Sequence, residues 1–292
     1  WSLGMYGFRF PFLLTSCHMG FSFLLLSPFA LRESFESHAA TLRQQWKGVV
    51  YIGVFMALNI GLNNLSLLDI SLTLNQVIRS AIPVVTCLLA MVVENHFPSM
   101  REASNLVLLT LGVMLAVWQG KLAGSRASIA LCVAGTISNG AMMTFSGKLL
   151  KEKLDIVRLT FYTAPISLAC LLPFFWRFER AGFGEFYAAH RTDVVGIILV
   201  TSVVALSYNL VHVAMIKRTT AVTTTVVGEI KIVGLLLLSA FLLGEKRLLN
   251  PRMLLGCALA MVGFCLYSQT KIQAMRQTVS VVKDTEAAAA PS

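Results

Sequence analysis

The hydrophobic and polar residues of this chain alternate in long blocks, not in the short periods of a soluble fold. Apolar blocks of roughly 20 residues are separated by short stretches that carry most of the charges. A helix needs roughly 20 apolar residues to cross about 30 Å of hydrocarbon, so each block is predicted to span a membrane. The pattern predicts nine spans, at residues 10–31, 48–67, 70–93, 103–119, 127–148, 156–176, 194–215, 220–243 and 252–270.

The composition supports this prediction and excludes several function classes. Of the 292 residues, 56% are hydrophobic and 13% are charged, about half the charged share of a soluble domain. The six cysteines lie inside apolar blocks without metal-ligand spacing, so we predict no metal site, no disulfide framework and no cofactor. The net charge of +10 is spread over the loops, and no nucleic-acid partner is predicted.

The distribution of Lys and Arg residues between the loops predicts the orientation of the chain in the membrane. Thirteen fall on one side of the predicted spans and nine on the other. Because cytosolic loops carry the excess, loop 32–47 and the C-terminus are predicted to be cytosolic. The chain opens at Trp1 in a polar-to-apolar transition, and we expect a first helix and the natural N-terminus to be missing. The polar tail is predicted to be disordered.

Two parts of the chain resemble each other. Arg79 precedes a long apolar run that ends at Glu94, and Lys231 precedes a similar run that ends at Glu245. A duplication would give two halves of opposite orientation, and such inverted repeats build transporters with the substrate site near the membrane midplane. The predicted units are the N-terminal repeat 1–124 without its first helix, the C-terminal repeat 125–271 and the tail 272–292.

Two cations, Arg79 and Lys231, lie inside apolar blocks, as does Glu229. A charge at mid-membrane costs at least about 2.5 kcal/mol and normally faces the protein interior or water. We therefore predict that the two cations bind the anionic group of a substrate. In the alternative, Glu229 forms a buried ion pair with Arg79 and only fixes helix packing. Glu229 and Lys231 are two positions apart, on different helix faces, and are not expected to pair.

Polar residues near these charges complete the candidate site. They can bind substrate hydroxyls and a base edge, or they can hydrogen-bond neighbouring helices. Pro83 has no N–H for the Arg79 carbonyl, and a free carbonyl is tolerated at membrane depth where it lines a polar cavity. The candidate substrate-binding residues are Arg79, Lys231, Glu229, Asn64, Asn75, Gln76, Tyr162, Thr163, Tyr208, Asn209 and Thr224.

Three stretches resemble the triose-phosphate translocator and nucleotide-sugar transporter branch of the drug/metabolite transporter superfamily. They are GLNNLSLLDISLTLNQVIRSAIPVV, LTFYTAPISL and TTTVVGEIKIVGLLLLSAFLLGEK. The resemblance implies an all-α membrane protein with ten transmembrane helices in two inverted five-helix repeats, nine of them present here. It also implies strict exchange of a phosphorylated or nucleotide-linked sugar for phosphate or a nucleoside monophosphate. Lys231 matches the family's substrate-binding lysine, and Arg79 falls where a cation is common.

Two positions differ from subgroups of that family. Plastid phosphate translocators have Lys-Arg where Lys231 is followed by Ile232, which disfavours a small, doubly charged sugar phosphate. GDP-mannose transporters have Phe-Tyr-Asn-Asn where this chain has Phe161-Tyr162-Thr163-Ala164, which removes the amides expected to read guanine. The resulting prediction is exchange of another nucleotide sugar for a nucleoside monophosphate across a Golgi or ER membrane. A sugar-phosphate/phosphate translocator of the plastid envelope is the alternative.

Two other function classes remain open. In a proton-coupled drug/metabolite exporter Glu229 would carry the proton, and in a non-transporting membrane scaffold the buried charges would only fix helix pairing. No enzyme is predicted, because the spans contain no nucleophile–base pair, HExxH motif or acidic metal cluster. The predicted partners are a nucleotide sugar or sugar phosphate, a nucleoside monophosphate or phosphate as counter-substrate, and the lipid bilayer; a homodimer is left open.

Overall fold

The computed structural model describes residues 8–118, 124–152, 154–242 and 251–289. Within these ranges the regular structure is helical and no strand is present. A π-helical turn is present at Phe175–Glu179. The α-helices are α1 (Pro11–Ala30), α2 (Phe35–Ser66), α3 (Leu72–Arg79), α4 (Ile82–Val93), α5 (Met100–Val117), α6 (Arg126–Lys151), α7 (Ile156–Phe174), α8 (Arg180–Ala189), α9 (Arg191–Arg218), α10 (Ala221–Leu242) and α11 (Pro251–Ala289).

Eight helical segments of the described chain are long and apolar enough to cross a membrane. Two of these segments combine consecutive helices: α3 with α4, and α7 with the π-helical turn and α8. Helix α10, with 22 residues, occupies the eighth block of the hydrophobic pattern. The all-α, multi-span membrane fold predicted from the sequence is confirmed.

The last helix extends beyond its predicted end. Helix α11 continues to Ala289, so residues 272–289 are helical where the sequence predicts a disordered tail. Extending an existing helix avoids the cost of nucleation, and alanine, abundant at residues 287–289, has the highest helix propensity. Composition alone predicted the tail incorrectly because it ignored the helix that precedes it.

The third predicted span is broken between α3 and α4. Pro83 has no N–H for the Arg79 carbonyl, and α3 ends at Arg79. The Ser80 N–H donates to the Gln76 carbonyl at 2.9 Å, and the Ser80 hydroxyl donates to the Val77 carbonyl at 2.8 Å. Arg79 therefore lies in the last turn of a helix, where the helix dipole favours a cation.

Helices α5 and α11 cross with their backbones in contact. A Cβ atom on Gly112 would lie 2.3 Å from the Ala260 nitrogen, and one on Gly256 would lie 2.3 Å from the Ala116 nitrogen. Small residues permit such close approach between membrane helices, where packing and not hydrophobicity drives association. The two glycines therefore set the distance between α5 and α11.

Substitution of Gly112 by alanine is expected to destabilise the protein, because the added methyl group must push α11 away from α5. Overpacking of this kind costs about 1–3 kcal/mol. The measurement is the melting temperature of the detergent-purified protein. Gly196→Ala on α9 is the matched control, since no atom lies within 4 Å of its added Cβ. Equal melting temperatures for the two variants would contradict the close contact.

Glu179, the last residue of the π-helical turn, is 7% exposed and caps α1 from across the bundle. Its Oε1 accepts the Phe12 N–H at 2.9 Å, and its Oε2 accepts the Leu13 N–H at 2.8 Å. The first N–H groups of a helix have no partner within the helix, and the dipole favours a carboxylate beside them. The buried charge of Glu179 is therefore compensated by backbone groups.

Removal of this cap by Glu179→Ala is expected to lower the free energy of unfolding by about 2 kcal/mol, the upper range for loss of a helix cap. The Phe12 and Leu13 N–H groups would lose their carboxylate partner. Thermal unfolding in detergent measures the effect. Glu185→Ala, at an exposed site on α8, serves as the control and is expected to unfold like the wild type. A Glu179→Ala protein as stable as this control would show that the cap contributes nothing.

An apolar cluster and three ion pairs lie towards the end of the bundle that is predicted to face the cytosol. Buried side chains of α1, α2, α6, α7, α9 and α10 pack together there, Val49, Ile52 and Leu159 among them. The ion pairs that join different parts of the chain at this end are Arg158–Glu33, Lys151–Glu94 and Lys271–Glu102.

The Glu33 carboxylate lies in the loop before α2. The Ser37 hydroxyl donates to its Oε2 at 2.9 Å, and Arg158 pairs with its Oε1. The hydrogen bond from Ser37 and then the interaction with Arg158 hold the pKa of Glu33 below its usual value. The Arg158–Glu33 pair therefore stays charged at neutral pH and is lost only as the pH falls through that lowered pKa.

Candidate functional site

A cavity of about 470 Å³ lies between α2, α3, α6, α9 and α10. It brings Arg79 and Lys231 together, although one comes from each predicted half of the chain. Its lining contains seven of the eleven candidate residues: Gln76, Arg79, Tyr208, Asn209, Thr224, Glu229 and Lys231.

Neutral amides orient the Arg79 side chain. Its Nη1 donates to Asn59 Oδ1 at 3.0 Å and to Asn63 Oδ1 at 3.3 Å. Asn59 and Asn63 are four residues apart on α2 and therefore lie on the same helix face. Amide oxygens carry no net charge, so they fix the guanidinium without neutralising it. The remaining N–H donors of the guanidinium fork are suited to the oxygens of a phosphate.

The Lys231 ammonium group lies beside the Tyr208 ring. Its Nζ is 5.3 Å from the ring centroid and 3.5 Å from the phenolic oxygen. The Tyr208 ring in turn stacks on His212, with 5.5 Å between the ring centroids. A cation over an aromatic face is attracted by the ring quadrupole while its charge is retained. Tyr208 therefore positions Lys231 in the cavity without forming an ion pair.

Glu229 is the third charged residue of the cavity. It is 4% exposed, and its Oε2 atom has no hydrogen-bond partner among the described residues. In the described part of the chain no carboxylate oxygen lies within 4 Å of a nitrogen of Arg79 or Lys231. The alternative of a buried Arg79–Glu229 contact pair is therefore not observed. Two cations and one ionisable carboxyl group therefore line the cavity without an ion-pair contact among the described residues.

Asn75 supports the cavity from behind and does not line it. It is 1% exposed, and its Nδ2 donates to Asn63 Oδ1 at 2.9 Å and to Ser66 Oγ at 3.2 Å. Asn63 Oδ1 thus accepts hydrogen bonds from both Asn75 and Arg79. Asn64, one residue further along α2, is half-buried and is not part of the cavity lining, because each helical residue turns by about 100° from the previous one.

Tyr162 and Thr163 are not part of the cavity lining either. The Tyr162 hydroxyl bonds to His38 Nδ1 at 2.5 Å, and His38 Nε2 lies 2.9 Å from the Ala30 carbonyl. Because the carbonyl can only accept, Nε2 carries a proton, and in neutral His38 the Nδ1 atom accepts from Tyr162. Tyr162 therefore links α7 to the start of α2 and, through His38, to the end of α1.

Thr163 lines a smaller recess, of about 70 Å³, that adjoins the cavity. Ala164 also lines it, and Met56, Met142 and Met143 line both spaces. Positions 163 and 164 are those where the resemblance places asparagines in GDP-mannose transporters. In this chain the recess has an apolar lining rich in methionine, a side chain that adapts to irregular shapes.

Sequence reasoning did not include Asn59, Asn139 or His212 among the candidates, although all three line the cavity. The four-residue spacing of Asn59 and Asn63 on an apolar helix was an available signal for the first. Among the described residues no group of three or more His, Cys, Asp or Glu side chains is arranged to hold a metal ion.

The chain is similar to known proteins over almost its whole length. It is 27% identical to a probable sugar phosphate/phosphate translocator of Arabidopsis thaliana, covering 92% of this chain and 88% of that protein. The UDP-uronic acid transporter 1 of the same plant is also 27% identical, with the same coverage. A solved crystal structure with 13% identity superposes with a TM-score of 0.68, covering 91% of this chain and 90% of that one, which shows a shared fold. Since the model of the Triose-phosphate Transporter family matches residues 4–268, the chain belongs to that family and is a membrane transporter.

Proposed function

We propose that this transporter exchanges a nucleotide sugar other than GDP-mannose for a nucleoside monophosphate by alternating access. The phosphate groups would bind between Arg79 and Lys231. The observation that carries the proposal is the shared cavity of these two cations, neither of which contacts a carboxylate in the described chain. Two positive charges inside apolar segments, both supported only by neutral groups in the described chain, favour an anionic ligand.

The volume of the cavity supports a ligand larger than a triose phosphate. Cavities for drug-sized ligands have about 300–1,000 Å³, and this one has about 470 Å³. The adjoining recess adds an apolar surface beside Asn209 and His212, which line both spaces. A base or sugar there would lie next to the phosphates. Asn209 supplies an amide to the recess, but Thr163 and Ala164 do not, so the two amides that the resemblance places there to read guanine are missing.

The contacts at the end of the bundle that is predicted to face the cytosol support alternating access. The ion pairs and the apolar cluster described above would have to separate before the cavity opened towards that side. Bound phosphate would compensate Arg79 and Lys231 while the cavity is closed to water, where uncompensated charges are costly. An empty carrier would therefore change orientation rarely, and transport would take the form of exchange. A Golgi or ER membrane is the proposed location, with the plastid envelope as the alternative.

A second candidate is exchange of a sugar phosphate for phosphate. The names of several relatives favour it, because they are described as probable sugar phosphate/phosphate translocators. The relative named as a UDP-uronic acid transporter favours the first candidate. Ile232, where plastid translocators have a second cation, is the observation in the chain that argues against the smaller substrate.

Uptake measurements on the purified protein in vesicles distinguish the two proposed exchange reactions. Vesicles are loaded with UMP, CMP, AMP, GMP, inorganic phosphate or buffer alone, and the uptake of labelled UDP-glucuronic acid, UMP and phosphate is measured. We expect uptake of a labelled nucleotide only when a nucleoside monophosphate other than GMP is inside. Stimulation by internal phosphate alone would support the second candidate. Equal uptake into empty vesicles would reject exchange altogether.

A further inference from the structure

We propose that Glu229 takes up a proton when a dianionic substrate binds in the cavity, so that one proton crosses the membrane with each dianion. This inference rests on the proposed function, because it concerns the same cavity and the same cations. It adds a second transported species and a pH dependence to the exchange. The proton comes from the aqueous side to which the cavity is open, converts the carboxylate to a carboxylic acid, and leaves on the other side.

The structure supplies the carboxylate in a suitable position. Glu229 lines the cavity with Arg79 and Lys231 and is 4% exposed. Its Oε2 atom has no hydrogen-bond partner among the described residues. Glu179, another buried carboxylate, differs because both of its oxygens accept backbone N–H groups. Glu229 thus depends on the nearby cations for compensation and has an oxygen available for a proton.

The charge balance of the cavity links the proton to the substrate. With Glu229 ionised, the three charged residues sum to about one positive charge. A phosphate monoester carries about −1.5 to −2 at pH 7, so binding of a dianion would leave the cavity with about one net negative charge. An uncompensated charge would cost several kcal/mol once the cavity is closed to water during transport. Protonation of Glu229 removes that charge and leaves two cations facing one dianion.

The coupling is reciprocal by thermodynamic necessity. If the dianion favours protonation of Glu229, protonation of Glu229 favours binding of the dianion. The sign follows directly: alkaline solution removes the proton, returns a negative charge beside the substrate and weakens exchange. A phosphate probe titrates in the opposite sense, because its dianionic fraction grows as the pH rises. The two contributions to the pH profile can therefore be separated.

The other titratable groups around Glu229 come from several helices. Arg79 on α3, Tyr208 and His212 on α9, and Lys231 on α10 itself line the same cavity. Cys87 of α4 and Tyr267 of α11 belong to an apolar cluster that also includes residues of α10. Glu102 of α5 pairs with Lys271 of α11. Helix α6 lines the cavity through Asn139, Met142 and Met143, none of which titrates. His212 is accordingly the competing proton site.

The test is homoexchange of labelled UMP and of labelled inorganic phosphate in vesicles with equal pH on both sides, between pH 7 and pH 9. For the wild type we expect exchange to fall by at least about tenfold over this range, the limit for one proton being tenfold per pH unit. Glu229→Gln is expected to show no such fall. Its pH profile should reflect only the titration of the phosphate probe, whose dianionic fraction grows as the pH rises. Glu36→Gln, at an exposed position at the start of α2, is expected to retain the wild-type rate and pH profile. His212→Asn changes a residue of the cavity lining, so its absolute rate is expected to change, but the fall between pH 7 and pH 9 is expected to match that of the wild type.

Three outcomes would overturn the inference. A wild-type rate that does not fall towards pH 9 would show that no proton accompanies the dianion. A fall that persists in Glu229→Gln but disappears in His212→Asn would assign the proton to the histidine. Absence of exchange with both probes would instead reject the proposed function, and the proton with it. Exchange that is active but insensitive to pH leaves the proposed function intact and rejects only this inference.

Discussion

Replacement of Lys231 by alanine is expected to lower the exchange rate by between about 30-fold and 3,000-fold while the protein remains folded. Lys231 is exposed in the free protein and would form a buried, hydrogen-bonded charge pair with the phosphate only when substrate is bound. Loss of one partner from such a pair costs about 2–5 kcal/mol, and each 1.4 kcal/mol is tenfold. Fold and transport can be separated here because the ammonium group contacts Tyr208 and no carboxylate in the described chain. The measurements are exchange in vesicles and the melting temperature in detergent.

Two further variants make this prediction specific. Lys47→Ala removes an exposed lysine that lies near the Trp46 ring, and it is expected to exchange like the wild type. Lys231→Arg keeps the positive charge and is expected to retain more activity than the alanine variant. Exchange by Lys231→Ala at the wild-type rate would exclude Lys231 from substrate binding.

Substitution of Arg79 by methionine is the second large effect that we expect, and it should change both exchange and stability. The substrate loses a guanidinium ligand, and the change lowers exchange to an extent similar to that of Lys231→Ala. Glu229 also loses one of the two cations in its cavity. A buried carboxylate with less compensation costs stability, so the melting temperature is expected to fall.

The double variant Arg79→Met/Glu229→Gln distinguishes these two contributions. Removal of the carboxylate should restore the melting temperature towards the wild type, because no buried anion then lacks its cation. Exchange should remain as low as in Arg79→Met, since the guanidinium is still absent. Arg43→Met, at an exposed position on α2, is the control for loss of a surface arginine. If the double variant recovered exchange as well, Arg79 would only balance Glu229 and would not bind substrate.

The two cations of the cavity are positioned by different neutral groups. Arg79 is fixed by the amides of Asn59 and Asn63, whereas Lys231 lies against the Tyr208 ring. Both supports are neutral, so each orients a cation without cancelling it. This is the arrangement expected where a mobile anion supplies the missing charge.

The resemblance between the two predicted halves led to two predictions, one about the candidate site and one about the division of the chain into repeats. It singled out Arg79 and Lys231 as a pair to be compared, and the structure places both in one cavity. The division of the chain into repeats at residue 124 remains a prediction. The adjacent residues 119–123 and the acidic residue Glu245 lie outside the described part of the chain.

The sequence by itself determined the helical, membrane-spanning class of the protein and the location of its unusual charges. Both follow from the cost of placing polar groups in hydrocarbon, which depends on local composition and on segment length. The break near Pro83 is also a local effect, because the missing N–H is a property of the proline itself. None of these features requires knowledge of how the helices are arranged.

Only the tertiary structure decided which polar side chains meet. It joined Arg79 to Asn59, paired Tyr162 with His38 away from the cavity, and used Glu179 to cap a helix more than 160 residues away along the chain. These contacts depend on the rotation and tilt of each helix against its neighbours. In an almost uniformly apolar helix the hydrophobic pattern gives little indication of which face points inward, and packing between helices therefore sets the site.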